Sequence, residues 1–299
     1  MMKIKGIVNS MRLRTLPLSL SGIILGIMLA SNTCSIRPLS VVLLILTAVC
    51  LQILSNLSNE LGDALHGEDP AQRQGMVYST QKGDMTIAEL RSLVTVFVAL
   101  SAICGLGMIW TAFGSLIGLK QLLFVLLGAC AIVAALKYTL GRRPYGYRGL
   151  GDIFVFVFFG LVTVCGAYYL MALELPPAST LLAASSIGCL SVAVLNVNNI
   201  RDMKSDAANR KTVALRLGLK GARIYQTCLI VAAIILMALF FIVNKARPEG
   251  ALFVMTLPAF VFHLKGVWHY TDRDLDPMLP LLVMGTFFFA LLSGIATLL

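Results

Sequence analysis

Nine long apolar stretches run through this sequence of 299 residues, and they constrain its fold more than any other feature. A helix needs about 17–25 predominantly apolar residues to cross the hydrocarbon core of a bilayer. Charged residues make up 13% of the chain, whereas a soluble domain carries about 25%. A single soluble core could not bury this much apolar surface. The sequence therefore predicts an all-α membrane protein with nine transmembrane helices in one domain, residues 1–299.

The limits of the nine predicted spans follow from the ends of the apolar stretches. Backbone groups in lipid must be hydrogen-bonded within their own segment, so each stretch is predicted to be a helix. The first stretch lacks a convincing small-residue cleavage site and is interpreted as a membrane span rather than a signal peptide. The predicted limits are Leu16–Ser31, Leu39–Ser55, Leu90–Trp110, Leu119–Leu136, Ile153–Leu173, Ala178–Val197, Ile224–Val243, Ala251–Val267 and Met278–Leu299.

The positions of the 24 lysines and arginines predict the orientation of these spans. Positively charged residues favour cytoplasmic loops, so we expect a cytoplasmic N-terminus and an external C-terminus. The net charge of +10 is then explained by membrane topology and gives no support to nucleic-acid binding. In this orientation the outer loops hold only Arg37, Lys120, Lys245 and Arg247 of the basic residues, and Glu174 and Glu249 of the acidic ones.

Two polar motifs lie where the second and sixth spans end, at the start of the long predicted loops 56–89 and 198–223. The first motif places Asn59 four residues before Asp63, and the second places Asn198 four residues before Asp202. Residues four apart share one face of a helix, so each motif presents an amide and a carboxylate together. Because the motifs are four spans apart, we expect a repeat of two four-helix units plus one helix, with the two acidic faces opposed.

These acidic faces predict a particular kind of site. Clustered carboxylates repel one another and need a cation, and oxygen ligands without histidine or cysteine suit Mg²⁺. Proteins usually hold Mg²⁺ through a few carboxylates together with substrate phosphates. The sequence therefore indicates a metal-bridged diphosphate that carries a lipid tail. The basic residues expected to balance its remaining charge are Arg73, Lys82, Lys137, Arg142, Arg143, Arg201, Arg210 and Lys211.

Around these motifs the sequence resembles the UbiA superfamily of intramembrane aromatic prenyltransferases, in particular the branch that prenylates 1,4-dihydroxy-2-naphthoate. Glu60 stands where the superfamily usually has aspartate, which makes Asp63 the stronger ligand candidate and leaves a role for Glu60 open. The resemblance rests on Arg14-Thr-Leu-Pro17, Asn59-Glu-Leu-Gly-Asp63, Gln81-Lys82-Gly83, Arg143-Pro-Tyr-Gly-Tyr147, Gly149-Leu-Gly-Asp152, Asn198-Asn199-Ile-Arg201-Asp202 and Arg210-Lys211-Thr212.

The resemblance implies transfer of a polyprenyl group from polyprenyl diphosphate to 1,4-dihydroxy-2-naphthoate, with loss of CO₂ and formation of demethylmenaquinone. It implies a nine-helix bundle in the cytoplasmic membrane, with a cytoplasmic site and Mg²⁺ as the cofactor. The implied metal ligands are Asp63, Asp69, Asp202 and Asp206. The implied catalytic residues are Asp63, Asp202, Lys82 and Arg143. The implied contacts to diphosphate or acceptor are Asn59, Asn198, Arg201, Lys211, Tyr145 and Tyr147.

Other interpretations of the sequence stay open. Another aromatic acceptor, such as 4-hydroxybenzoate or haem, would suit the same fold. A secondary transporter would also have internal repeats, but no charged route continues from the motifs to the outer side. An intramembrane phosphotransferase would carry an Asp-Gly-x2-Ala-Arg signature, which this sequence lacks.

Some titratable residues outside the two motifs receive structural interpretations. His263 and His269 are expected at the membrane interface, while His66, within the first motif loop, is a possible contributor to the site. The acidic run Asp272, Asp274 and Asp276 is expected to be a solvated loop.

Overall fold

The computed structural model describes residues 4–65, 79–207, 210–245 and 248–299. Within these ranges all regular structure is helical, and nine helices are long and apolar enough to cross a membrane. The prediction of an all-α membrane protein with nine spans is therefore confirmed, whereas the orientation of the N-terminus stays a prediction. The spans are Ile4–Ser31, Pro38–Leu65, Ile87–Phe113, Leu119–Lys137, Gly151–Ala172, Thr180–Arg201, Val213–Val243, Gly250–His269 and Asp272–Ala296.

The second and sixth spans extend past the limits predicted from hydropathy. The second helix continues to Leu65 and the sixth to Arg201, so the predicted loops 56–89 and 198–223 begin too early. A hydrophobic stretch ends at the first polar residues, but the helix itself can continue where its polar side chains find partners in neighbouring elements. Both motifs consequently lie on the last turns of helices, where the spacing of four places their polar side chains on one face.

Several spans depart from a regular α-helix. In the first span, Arg12 adopts a left-handed conformation with a φ of 48°, and a short 3₁₀ turn joins the helices Ile4–Met11 and Leu16–Ser31. The fifth span contains a π-helical turn at Phe156–Val162. The seventh span is interrupted at Gly218, where φ is 68°. Hydrophobic periodicity alone does not report such breaks.

The spans pack in a pattern that is similar in the two halves of the chain. The second and third spans pair extensively, and so do the sixth and seventh, which stand in the equivalent places of a four-helix repeat. The first span packs against the fifth and the ninth. One buried apolar cluster joins the second and third spans with the fourth packed against it, and a larger one joins the first and fifth to ninth spans with parts of the second and third. This pairing is what the predicted repeat requires.

Candidate functional site

The two acidic motifs are joined through Arg210, which lies between the sixth and seventh spans. Its Nη2 atom donates to Oδ1 of Asp63 at 2.5 Å, and its Nε atom lies 3.3 Å from Oδ1 of Asp206. Both carboxylates are buried, with side chains 3% and 7% exposed. One guanidinium therefore connects an acid of the second span with an acid that follows the sixth, so the structure brings these two predicted ligands together.

Tyr147 supports this arrangement from the loop between the fourth and fifth spans. Its hydroxyl donates to Oδ1 of Asp63 at 2.7 Å, and the guanidinium carbon of Arg210 lies 4.4 Å from its ring centroid, within the range of a cation–π interaction. The backbone amide of Lys211 donates to the Tyr147 carbonyl at 2.9 Å. Gly149 permits this approach, since its φ is 79° and a Cβ there would lie 2.6 Å from the Lys211 carbonyl oxygen.

Tyr145, two residues earlier, faces a different environment. Its hydroxyl donates to the carbonyl of Ala134 at 2.9 Å, and its ring stacks on Phe154 with centroids 4.0 Å apart. The ring of Tyr138 contacts the ring of Tyr145 edge to face, with centroids 5.4 Å apart. Burial raises the pKa of Tyr145 and raises the pKa of Tyr138 to about 12. These phenols are therefore neutral at physiological pH, and Tyr145 anchors its loop on the fourth span.

The second motif is organised by Arg201. Its Nε and Nη2 atoms donate to the two oxygens of Asp202 at 2.9 and 2.7 Å, and Nη2 also donates to Oδ1 of Asn198 at 2.8 Å. Its Nη1 atom donates to Oδ1 of Asp276 at 2.9 Å. The sequence assigned Arg201 to the leaving group, whereas here its side chain, 4% exposed, is bonded to the motif itself.

The acidic run at the start of the ninth span was predicted to be a solvated loop, and this prediction is wrong in part, because two of its three members form ion pairs with residues near the end of the sixth span. Asp276 pairs with Arg201, and Asp272 accepts from Lys204 at 2.6 Å. Asp274, the third member, is exposed, and the side chain of Asp276 is 42% exposed. The sixth-span end presents cations close to this loop, a proximity that spacing along the chain does not reveal.

His263 was predicted to lie at the membrane interface, and that prediction is also wrong. Its side chain is completely buried, with Nε2 at 3.0 Å from the amide nitrogen of Gln226 and Nδ1 at 3.0 Å from the Met278 carbonyl oxygen. Gln226 in turn accepts from Asn196 at 2.8 Å. A polar chain across the sixth, seventh and eighth spans accounts for the burial. His269 is exposed, and its place at the membrane interface stays a prediction.

Asn59 and Glu60, neighbours in the first motif, have separate partners. Asn59 accepts from the hydroxyl of Thr139 at 3.5 Å. Glu60 is buried and accepts from the backbone amide of Thr80 at 3.1 Å. Glu60 thus binds the segment that leads to the third span, whereas Asp63 binds Arg210.

The remaining predicted residues are not drawn into this network in the part of the chain that the structure describes. The side chains of Lys82, Arg143 and Lys211 are exposed and make no hydrogen bond or ion pair with a described residue. Asp69, a predicted metal ligand, and His66 lie outside the described residues.

Comparison with known proteins identifies the family. The profile of the UbiA prenyltransferase family matches residues 19–296. The chain belongs to this family. A 1,4-dihydroxy-2-naphthoate octaprenyltransferase of Escherichia coli is 41% identical over 90% of this chain and 86% of its own length. One from Haemophilus influenzae is 38% identical over 91% and 87%.

A solved structure supports the fold of this UbiA family member. It is a UbiA homologue from Archaeoglobus fulgidus bound to DMAPP and Mg²⁺, with a TM-score of 0.65 and 17% sequence identity. The alignment covers 97% of this chain and 98% of that one. The predicted membership of the superfamily is confirmed.

The two motifs carry the kind of donor atom that Mg²⁺ prefers. No group of three or more histidine, cysteine or acidic side chains in the described ranges has a metal-holding arrangement. The donors nevertheless fit, since Asp63, Asp202 and Asp206 offer only oxygen atoms, which Mg²⁺ prefers. Asp63 and Asp206 already share one cation, the guanidinium of Arg210.

A small cavity of about 60 Å³ adjoins the second motif in this UbiA protein. It is lined by Arg12, Arg14 and Thr15 of the first span and by Asn198. Leu279, Pro280 and Val283 of the ninth span complete it. The left-handed turn at Arg12 brings these arginines beside the motif, and no site role was predicted for them. In the sequence, the only indication of a role for this region was the motif Arg14-Thr-Leu-Pro17, which resembles the UbiA superfamily.

Proposed function

We propose that this UbiA family member transfers a polyprenyl group from polyprenyl diphosphate to 1,4-dihydroxy-2-naphthoate, with release of CO₂ and diphosphate. The product is demethylmenaquinone, formed first in its reduced state. The observation that carries this proposal is the joining of Asp63 and Asp206, from motifs four spans apart, through one guanidinium. The names of the E. coli and H. influenzae relatives support the naphthoate acceptor.

The metal part of the proposal rests on the donor set. Bound Mg²⁺ would draw charge from the diphosphate oxygens and so favour cleavage of the allylic C–O bond. Asp63, Asp202 and Asp206 would hold it, together with Asp69 on the evidence of the sequence. Asn59 and Asn198, one turn before an aspartate on each helix, would orient metal or phosphate oxygens.

The cations of the site divide into two groups with different tasks. Arg210 is held by two carboxylates and by the ring of Tyr147, so it would exchange a carboxylate for a diphosphate oxygen as substrate binds. Lys82, Arg143 and Lys211 are exposed and make no ion pair with a described residue. They are free to turn towards the leaving diphosphate and to neutralise its remaining charge.

The bond changes balance without a further reactant. The allylic C–O bond breaks, and its electron pair leaves with the diphosphate. An electron pair of the naphthoate ring forms the new C–C bond, and loss of the carboxylate as CO₂ returns two electrons to the ring. A dry, helix-enclosed site protects the allylic cation from water, and the aromatic face of Tyr147 can stabilise positive charge.

The proposal also includes a location. We infer that the site opens to the cytoplasm from the cytoplasmic membrane, because both motifs lie at the span ends where basic residues concentrate. Polyprenyl diphosphate, an amphiphile, would keep its tail among the spans and its head at this surface.

The proposal is tested with purified protein, polyprenyl diphosphate, Mg²⁺ and either 1,4-dihydroxy-2-naphthoate or 4-hydroxybenzoate. Mass spectrometry is expected to find prenylated, decarboxylated naphthoate product. Product with 4-hydroxybenzoate alone would reassign the acceptor, and no product from folded protein would contradict prenyl transfer. Full activity in both Asp63→Ala and Asp202→Ala would refute the metal part.

A further inference from the structure

Arg201 uses every nitrogen of its guanidinium, two of them within the second motif and one outside it. Nε and Nη2 are bonded to Asp202 and Nη2 also to Asn198, so Nη1 is the nitrogen that joins the guanidinium to another element. Asp202 and Asn198 lie on the same helix end as Arg201, so their bonds alone do not fix this group relative to the neighbouring spans. The bond from Nη1 to Asp276 at 2.9 Å supplies the missing constraint.

Asp276 is itself held in place by the turn at the start of the ninth span. This segment forms a 3₁₀ turn, Asp272–Leu275, in which Leu275 is completely buried. A second ion pair, from Lys204 to Asp272 at 2.6 Å, attaches the same turn to the end of the sixth span. The turn therefore contacts the motif at two points, and Asp276 approaches Arg201 from a fixed direction.

The position of Asp276 favours an action through Arg201 rather than directly on a bound ion. Its side chain is 42% exposed, whereas that of Arg201 is 4% exposed. A half-exposed carboxylate beyond a guanidinium is screened by water and by that guanidinium. What it can change is the orientation of the buried fork, and with it the directions of the Asp202 and Asn198 oxygens.

We infer that Asp276 is a positioning residue of the site, which acts through Arg201 to orient Asp202 and Asn198 for the metal and the diphosphate. This inference rests on the proposed function. It gives the ninth span, which lies outside the predicted four-helix repeat, a part in the second motif. The acidic turn at the start of the ninth span thus belongs to the site.

The test uses thermal unfolding of the full chain in detergent micelles, with MgCl₂ titrated at a fixed concentration of inorganic pyrophosphate. Asp276→Ala is expected to raise the Mg²⁺ concentration at half-maximal stabilisation about tenfold, since it removes the charge-assisted bond to Nη1. Asp276→Asn, which keeps a neutral acceptor, should lie between Asp276→Ala and the wild type. The matched control is Asp274→Ala, the exposed neighbour in the same turn, which should remain within twofold of the wild type.

Coupling to Arg201 separates positioning from general destabilisation. In an Arg201→Gln background, adding Asp276→Ala should change the Mg²⁺ midpoint by less than twofold, because the link is already lost. The inference is overturned if Asp276→Ala and Asp274→Ala have equal midpoints, or if Asp276→Ala has its full effect without Arg201. Should Asp276→Ala not fold, the Asp276→Asn variant carries the same comparisons.

This experiment is independent of prenyl transfer itself. A wild-type protein that forms no prenylated naphthoate but shows the Asp276-dependent Mg²⁺ midpoint would refute the proposed function and retain the role of Asp276. A wild-type protein that magnesium pyrophosphate does not stabilise would overturn the role of Asp276.

Discussion

The single residue on which the two halves of the site depend is Arg210. Substituting Arg210→Gln would leave Asp63 and Asp206 buried without the charge that joins them, and we expect the metal-free protein to lose about 3 kcal/mol of stability. Mg²⁺ should then stabilise the variant more than the wild type, because the ion no longer competes with a guanidinium. Thermal unfolding with and without Mg²⁺ measures both effects. Arg91→Gln, at an exposed cation, is the control, and equal Mg²⁺ responses in the wild type and Arg210→Gln would contradict this view.

Tyr147 and Tyr145 offer a matched pair of hydroxyl deletions two residues apart. Tyr147→Phe removes the bond to Asp63 but retains the ring beside Arg210, so prenyl transfer should fall about tenfold and the free energy of unfolding by about 1.5–3 kcal/mol. Tyr145→Phe removes only the bond to the Ala134 carbonyl, and it should lower stability by about 1 kcal/mol with activity near wild type. Steady-state kinetics and thermal unfolding of both variants check this. Loss of activity in Tyr145→Phe, with wild-type activity in Tyr147→Phe, would refute the assignment of Tyr147 to the site.

At the residue scale, the sequence predicted which side chains share a helix face better than it predicted their bonding partners. Spacing of four on a helix placed Asn59 with Asp63, and the identity of the motifs pointed to their meeting. It could not show that Arg201 is bonded to its own motif, or that Arg210 joins the two. Such pairings depend on three-dimensional distances between segments far apart in the chain.

At the scale of the element, the last turns of the second span depend on a close contact with the end of the fourth. A Cβ on Gly62 would lie 2.5 Å from Cβ of Thr139, so only glycine lets the helices approach this closely. Gly62→Ala should lower the free energy of unfolding by about 1–3 kcal/mol. It should also reduce activity, because the helix must move away from Thr139 and Asp63 is the next residue on that helix. Gly128→Ala, with nothing within 4 Å of the added carbon, should be neutral or stabilising. Thermal unfolding of both variants measures these changes in stability. Equal changes in the two variants would contradict the close contact at Gly62.

The elements themselves were largely readable from the sequence, because a bilayer demands long apolar helices and leaves few alternatives. What hydropathy missed is polar or irregular. The second helix continues ten residues past its predicted end at Ser55, the fifth contains a π turn, and the first bends at Arg12. These features arise from contacts between spans, and a one-dimensional hydropathy pattern does not contain them.

At the scale of the whole molecule, the distribution of basic residues predicts an N-terminus inside and a C-terminus outside. Alkaline phosphatase fused after Leu299 should therefore be active in intact bacteria, since the enzyme matures only outside the cytoplasm. A fusion after Lys137, at the end of the fourth span, should be inactive. The opposite pattern would reverse the orientation and place both acidic motifs on the outer face.

The central claim is that two equivalent motifs, one from each half of the molecule, hold the same metal–diphosphate unit. A structure with Mg²⁺ and an unreactive polyprenyl diphosphate analogue measures this directly. We predict carboxylate oxygens from Asp63 and from Asp202 or Asp206 at about 2.0–2.1 Å from Mg²⁺ ions that also bind the diphosphate. Metal bound by one motif alone, with Arg210 still joining Asp63 to Asp206, would contradict it.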